Sequence, residues 1–271
     1  GPVTELVETL MRWAPVPMGR VLLANSGSES NDTAFKLVRY YWNAKGRPTK
    51  KKVISRDRAY HGVTMAAASL SGISIMHQHF DLPIDGVVRV GCPDPYRNAR
   101  DGETTAQFVD RLAAELEEAI EREGAETIGA FIAEPVQGAG GVVVPPPGYL
   151  SAVREACTAH GALMIADEIQ SGLGRTGTTF ACEHENVTPD MYLLGKALGG
   201  GIVPVSAVAS SREVLGVCDQ RRRGAGGRRL TRCRGEGVRH VDRRAHAREV
   251  RPAYEGHVRG QQDPDRSEEL Q

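Results

Sequence analysis

Four short apolar runs constrain this chain most: Ile128–Ala133, Leu163–Ala166, Met191–Leu194 and Val205–Ala209. Each has the length of a buried strand, and the segments between them carry apolar residues at helical spacing. That alternation is the rhythm of a mostly parallel sheet covered by helices. The expected class is α/β, a three-layer α-β-α arrangement. Glu134 follows the first run, Asp167 the second, and Lys196 stands close after the third. Ligands in such sheets sit beyond the carboxyl ends of the strands, so these positions are where chemistry is expected.

Earlier elements fit the same plan. Arg20–Ala24 reads as a strand and Ser28–Trp42 as a helix, with Ala34, Phe35, Val38, Tyr41 and Trp42 near one face. Val53–Ser55 is a second short strand. Thr104 and Gln107 form a capping box for a helix over Ala106–Arg122, whose Phe108, Leu112, Leu116 and Ile120 recur at helical spacing. Trp13 and Trp42 are expected to pack helices against the sheet. The alternation stops near Cys218, which delimits a large domain over residues 1–217. From Asp219 to Gln271 there are fourteen Arg and no Lys, Ile, Met, Phe or Trp. Residues 218–271 are therefore read as an Arg-rich irregular tail, either disordered or out of frame with the fold.

Composition excludes several classes of function. Lys plus Arg and Asp plus Glu both number 34, so the formal charge is balanced and gives no support to a nucleic-acid or membrane partner. No apolar run reaches bilayer length, and the first twenty or so residues lack the pattern of a secretion signal. The five cysteines are scattered, odd in number and without C-x-x-C spacing. A reduced, cytoplasmic setting is expected. His77 and His79 are read as part of a surface loop, and no metal is expected.

Three motifs carry chemistry. Asn25-Ser26-Gly27-Ser28-Glu29-Ser30-Asn31 lies between a strand and a helix, where small residues let backbone N–H groups approach an anion at the positive helix end. Taken alone, such a pattern is more often just a helix cap. Tyr60-His61-Gly62 offers an aromatic ring to stack on a planar heterocycle. The most informative pair is Asp167-Glu168-Ile169-Gln170 and Leu194-Gly195-Lys196-Ala197, an acid and a lysine at neighbouring strand ends. They form either a salt bridge or a reactive pair. A lysine amine condenses with an aldehyde, and a carboxylate keeps a pyridine nitrogen protonated so that the ring accepts electrons. With a phosphate cradle, those requirements describe pyridoxal phosphate.

The ordered set Asn25–Glu29, Tyr60–Gly62, Ala133–Gly138, Asp167–Gly177 and Gly195–Gly201 resembles the motifs of class III, fold type I, pyridoxal-phosphate-dependent aminotransferases. The resemblance spans roughly residues 3–217. It implies that the backbone of Gly27 and Ser28 holds the phosphate, that Tyr60 and Ile169 cover the two ring faces, and that Asp167 meets the ring nitrogen. Tyr60-His61-Gly62 belongs to the cofactor site as a unit, Gln170 is placed near the phenolic oxygen, and Glu134 steadies the site. Lys196 would bind the aldehyde and move the proton, with Lys196 and Asp167 as the catalytic pair. The implied reaction moves an amino group from an ω-amino acid, amine or ornithine to an oxo acid such as pyruvate or 2-oxoglutarate, in two half-reactions, within a homodimer.

Gly46–Lys52, Arg58–Thr64 and Glu134–Gly141 look like ω-amino-acid or amine:pyruvate aminotransferases, whereas Ala166–Ala209 is similar to ornithine aminotransferases. Ala139 stands where ornithine-type enzymes carry a glutamate, which favours an ω-amine donor. Full-length relatives begin before Gly1 and continue after Leu215 with a motif and a small domain not found here. Two alternatives follow: an inactive fragment that at most binds cofactor or self-associates, and a class III aminomutase, racemase or decarboxylase.

Overall fold

The computed structural model describes residues 1–14 and 18–220. In chain order the elements are α1 (Pro2–Trp13), β1 (Met18–Ala24), α2 (Gly27–Ala44), β2 (Lys52–Arg56), α3 (Met65–Leu70), β3 (Val87–Val90) and α4 (Pro95–Asn98). They continue as α5 (Thr105–Glu123), β4 (Ile128–Ala133), α6 (Tyr149–Ala159), β5 (Leu163–Asp167), β6 (Met191–Leu194), β7 (Ser206–Ser211) and α7 (Arg212–Gln220). The strands form one seven-stranded sheet in the order β1-β7-β6-β5-β4-β2-β3. From β3 to β6 neighbouring strands are parallel, while β7 is antiparallel to both β6 and β1.

The sheet lies between two apolar layers, and strand alternation sorts side chains between them. Ile54, Phe131, Met164, Ala166, Tyr192 and Leu194 face Phe108, Leu112 and Leu116 of α5 and Leu150 and Val153 of α6. Their neighbours Val53, Ala130, Ile132, Leu163, Ile165, Met191 and Leu193 join Phe35, Val38, Tyr41 and Trp42 of α2. With both faces covered, β4, β5 and β6 are buried at every position, which is why their sequences are continuous apolar runs. The expected α/β class and the three layers are present.

Some expectations need correction. Trp42 packs as expected, and its Nε1 donates to the Gly129 carbonyl at 2.9 Å. Trp13, in the last turn of α1, is 48% exposed and so is not buried between helix and sheet. The strand β3 escapes the sequence reading because it is four residues at the sheet edge with Arg89 inside it. Residue 217, the expected end of the large domain, lies in α7, and the expected Arg-rich tail lies outside the described residues from 221 onward, so the structure corrects neither expectation.

Candidate cofactor site

The N-terminus of α2 is shaped by its own sequence. Ser26 caps the helix, its Oγ accepting from the Glu29 N–H at 3.2 Å. The Glu29 carboxylate returns to the N–H groups of Asn25 and Ser26 at 2.7 and 3.1 Å. The N–H groups of Gly27 and Ser28 keep no partner among the described residues, because a first helical turn has no carbonyl to offer them. Cap and anion cradle are therefore both built from the same seven residues. A Cβ on Gly27 would stand 2.8 Å from Ile169 Cδ1, so glycine lets the start of α2 settle onto Ile169. The Ser28 Oγ accepts from the Val63 N–H at 3.0 Å and ties the cradle to the segment after Tyr60.

Asp167 ends β5 and is 3% exposed. Its Oδ2 lies 2.7 Å from His61 Nδ1 and accepts from Asn31 Nδ2 at 3.0 Å, while Oδ1 accepts from the Ile169 N–H at 3.2 Å. Such donors offset the cost of closing a carboxylate off from water. Asn31 Nδ2 also reaches the Gly27 carbonyl at 3.1 Å, so one amide joins the cradle to Asp167. The His61 Nε2 and Asn31 Oδ1 atoms are buried without a hydrogen-bond partner.

Glu134, just past β4, clamps two segments. Its Oε1 accepts from the Tyr60 N–H at 2.9 Å and its Oε2 from the Gly138 N–H at 3.1 Å. Burial pushes its carboxyl above the usual glutamate range, with His61 opposing and Asp167 adding to the shift. The buried Arg56 donates to the Glu134 carbonyl, and the Gln170 carboxamide fills the space where a side chain on Gly138 would stand.

Lys196 follows β6 in register beside Asp167: Asp167 pairs with Leu193, and the Glu168 N–H bonds to the Leu193 carbonyl at 2.9 Å. The lysine is exposed, opens a short 3₁₀ turn over Lys196–Gly199 and has φ +41°, a conformation that costs a non-glycine residue energy. A Cβ on the preceding Gly195 would lie 3.3 Å from Ile169 Cγ2. Ile169 thus touches the cradle on one side and the Lys196 turn on the other.

These contacts join the segments of Gly27, Ser28, Tyr60, His61, Glu134, Asp167, Ile169 and Gln170, and Lys196 is drawn to them through its backbone alone, by way of Gly195 against Ile169. The sequence places Asn31 in the cap motif but does not show its bond to Asp167, and it singles out neither Ser71 nor Ser206. Asn31 had a visible signal, a polar side chain on the apolar face of a helix next to Ala34 and Phe35. Ser71, which accepts from the His61 N–H at 2.8 Å, had none.

A model of the family described as aminotransferase class-III matches residues 1–226. The chain belongs to that family. This class III chain is 50% identical over 200 residues to Gamma aminobutyrate transaminase 3, chloroplastic, of Solanum lycopersicum, covering 74% of this chain and 38% of that protein. It is 48% identical over 210 residues to Gamma-aminobutyrate transaminase 1, mitochondrial, of Oryza sativa subsp. indica, covering 78% and 41% respectively. The chain therefore spans less than half the length of these curated relatives. Among solved structures, the omega transaminase from Pseudomonas jessenii in complex with PMP aligns with a TM-score of 0.82 at 44% identity, covering 88% of this chain and 51% of that one.

Class III aminotransferases use pyridoxal phosphate. The residues present fit that group: two open N–H donors at a helix N-terminus suit a phosphate, the buried Asp167 suits a protonated pyridine nitrogen, and the exposed Lys196 amine suits an aldehyde.

Proposed function

We propose that this chain carries the cofactor site of a pyridoxal-phosphate-dependent aminotransferase that takes an amino group from an ω-amino acid or amine and passes it to an oxo acid such as pyruvate or 2-oxoglutarate. The observation that carries the reading is Ile169, in contact with both the Gly27 cradle and the turn that presents Lys196, two residues after Asp167. When bound, the cofactor supplies an aldehyde that takes up the amino group and a ring that accepts electrons.

The chain's own residues do the rest. The Gly27 and Ser28 N–H groups would hold the phosphate, with the α2 dipole behind them. Tyr60 and Ile169 would enclose the ring, Asp167 would hold the ring nitrogen and Gln170 would stand near the phenolic oxygen. His61 acts through Asp167, and Glu134 holds the Tyr60 and Gly138 segments together. The Lys196 amine would hold the cofactor at its aldehyde and would serve as the base that moves the proton at the amine-bearing carbon of the substrate.

The ω-amine donor is supported by the γ-aminobutyrate and omega transaminases among the relatives. Homodimer formation is supported by exposed apolar side chains at Val63, Met65, Ile75 and Phe80, on the segment that follows Tyr60. A cytoplasmic setting rests on the free thiols of Cys92, Cys157 and Cys182. The test is borohydride reduction of the protein loaded with pyridoxal phosphate, followed by peptide mapping. The cofactor mass is expected on Lys196, and its absence there overturns the assignment. Parallel assays with γ-aminobutyrate, β-alanine and ornithine then rank the donors.

A further inference from the structure

The geometry points to Ser206 as a positioning residue for the phosphate cradle, one that aims the Gly27 N–H from beneath. This inference rests on the pyridoxal-phosphate reading above. Ser206 opens β7, pairs with Ala24 across the sheet and is fully buried. Its Oγ donates to the Ser26 carbonyl at 2.6 Å and accepts from the Ser30 hydroxyl at 2.8 Å.

The Ser26 carbonyl and the Gly27 N–H belong to one planar trans peptide and point in opposite directions. Fixing the carbonyl therefore fixes where the N–H points. The Ser30 N–H already bonds that carbonyl at 3.1 Å along the helix. Ser206 adds a second donor from another element, so the peptide is held from the sheet as well as from its own helix. A hydroxyl with no exposed surface is costly unless bonded, and this one uses both its donor and an acceptor site within the cradle.

Ser206 also reaches the other half of the site. A Cβ on Gly195 would stand 3.7 Å from the Ser206 Cβ, so the same residue lies under the turn that presents Lys196. One buried side chain thus supports both the phosphate donors and the aldehyde-binding residue, and its hydroxyl acts on the phosphate side alone.

That asymmetry gives the test. Full-length wild type, Ser206→Ala and Ser30→Ala/Ser206→Ala are titrated with pyridoxal phosphate and with pyridoxal, which lacks the phosphate, and each is followed by urea unfolding. Losing the donor to Ser26 is expected to weaken pyridoxal phosphate binding about tenfold, while pyridoxal changes by less than about twofold. The double variant removes the orphaned Ser30 hydroxyl along with its partner. It is expected to recover stability while the phosphate-specific loss remains. Inorganic phosphate should raise the melting temperature of the wild-type protein without cofactor more than that of either variant. Equal losses for the two ligands, or a phosphate response unchanged in the double variant, would overturn the role of Ser206 and leave the cofactor reading standing. A wild type that does not prefer pyridoxal phosphate to pyridoxal overturns both.

Discussion

His61 Nδ1 lies 2.7 Å from Asp167 Oδ2, and both side chains are closed to water. The imidazole reaches the carboxylate from the Tyr60 segment while Asn31 reaches it from α2, so Asp167 is held from two sides. Replacing His61 by Phe keeps the bulk and removes the donor. The variant is expected to lose about 1–3 kcal/mol of stability, the cost of leaving a buried polar partner unsatisfied. Urea unfolding at neutral pH measures this, and a change below about 0.5 kcal/mol would mean that the contact contributes little.

Lys196 joins the proposed chemistry to a strained backbone. Its φ of +41° is one that glycine adopts freely and alanine does not. Lys196→Gly and Lys196→Ala should both abolish covalent attachment of the cofactor, but the glycine variant should be about 1 kcal/mol more stable than the alanine variant. Thermal unfolding of the two cofactor-free variants decides it. An alanine variant at least as stable as the glycine variant shows that the turn relaxes without cost.

Where strands are buried on both faces, the fold was legible. β4, β5 and β6 appear as unbroken apolar runs because no position in them meets water, and their ends locate Glu134, Asp167 and Lys196. β3 was not legible, since an edge strand with a half-buried Arg89 carries little apolar signal. At the site, residues whose chemistry is rare next to buried strands stood out. The supporting shell did not. Ser30, Ser71 and Ser206 are small polar residues common anywhere, and only three-dimensional contact separates them from surface serines. The capping pattern at Ser26 was ambiguous in sequence because capping and anion binding draw on different N–H groups of one helical turn.

Acid sensitivity is expected ahead of α5. Glu103 accepts from Arg111 Nε and Nη2 at 2.7 and 2.8 Å and from the Arg100 N–H at 2.9 Å. The Arg111 side chain, followed by the Arg100 N–H, holds its carboxyl down at about 2. The folded protein thus keeps Glu103 ionised where the unfolded chain takes up a proton. Its contribution is complete above the ordinary glutamate range and is lost as pH falls toward about 2. Glu103→Gln should be less stable than wild type at pH 6, with the gap narrowing as the pH drops. Urea midpoints taken from pH 6 down to 3 test the sign. A gap that widens on acidification contradicts the assignment.

Gly27 of the cradle and Gly140, which follows the Glu134 segment, should differ in tolerance because different atoms face them. A Cβ on Gly27 meets Ile169 Cδ1 at 2.8 Å, the end of a side chain that can rotate aside. A Cβ on Gly140 runs into the backbone carbonyl of Arg58. That carbonyl has little freedom, since the Arg58 guanidinium is anchored to the Gly140 carbonyl through Nε at 3.1 Å and to Asp94 Oδ2 at 2.5 Å. Arg58 itself has φ +61° and stands two residues before Tyr60. Gly140→Ala is therefore expected to cost about 3 kcal/mol, near the upper end for overpacking, and Gly27→Ala about 1 kcal/mol. Cofactor binding should show the reverse emphasis: Gly27→Ala displaces Ile169 at the cradle, so its affinity loss should exceed what its small stability loss explains. Unfolding midpoints paired with pyridoxal phosphate titrations of both variants settle it, and equal destabilisation would show that the Arg58 segment yields as readily as the Ile169 side chain.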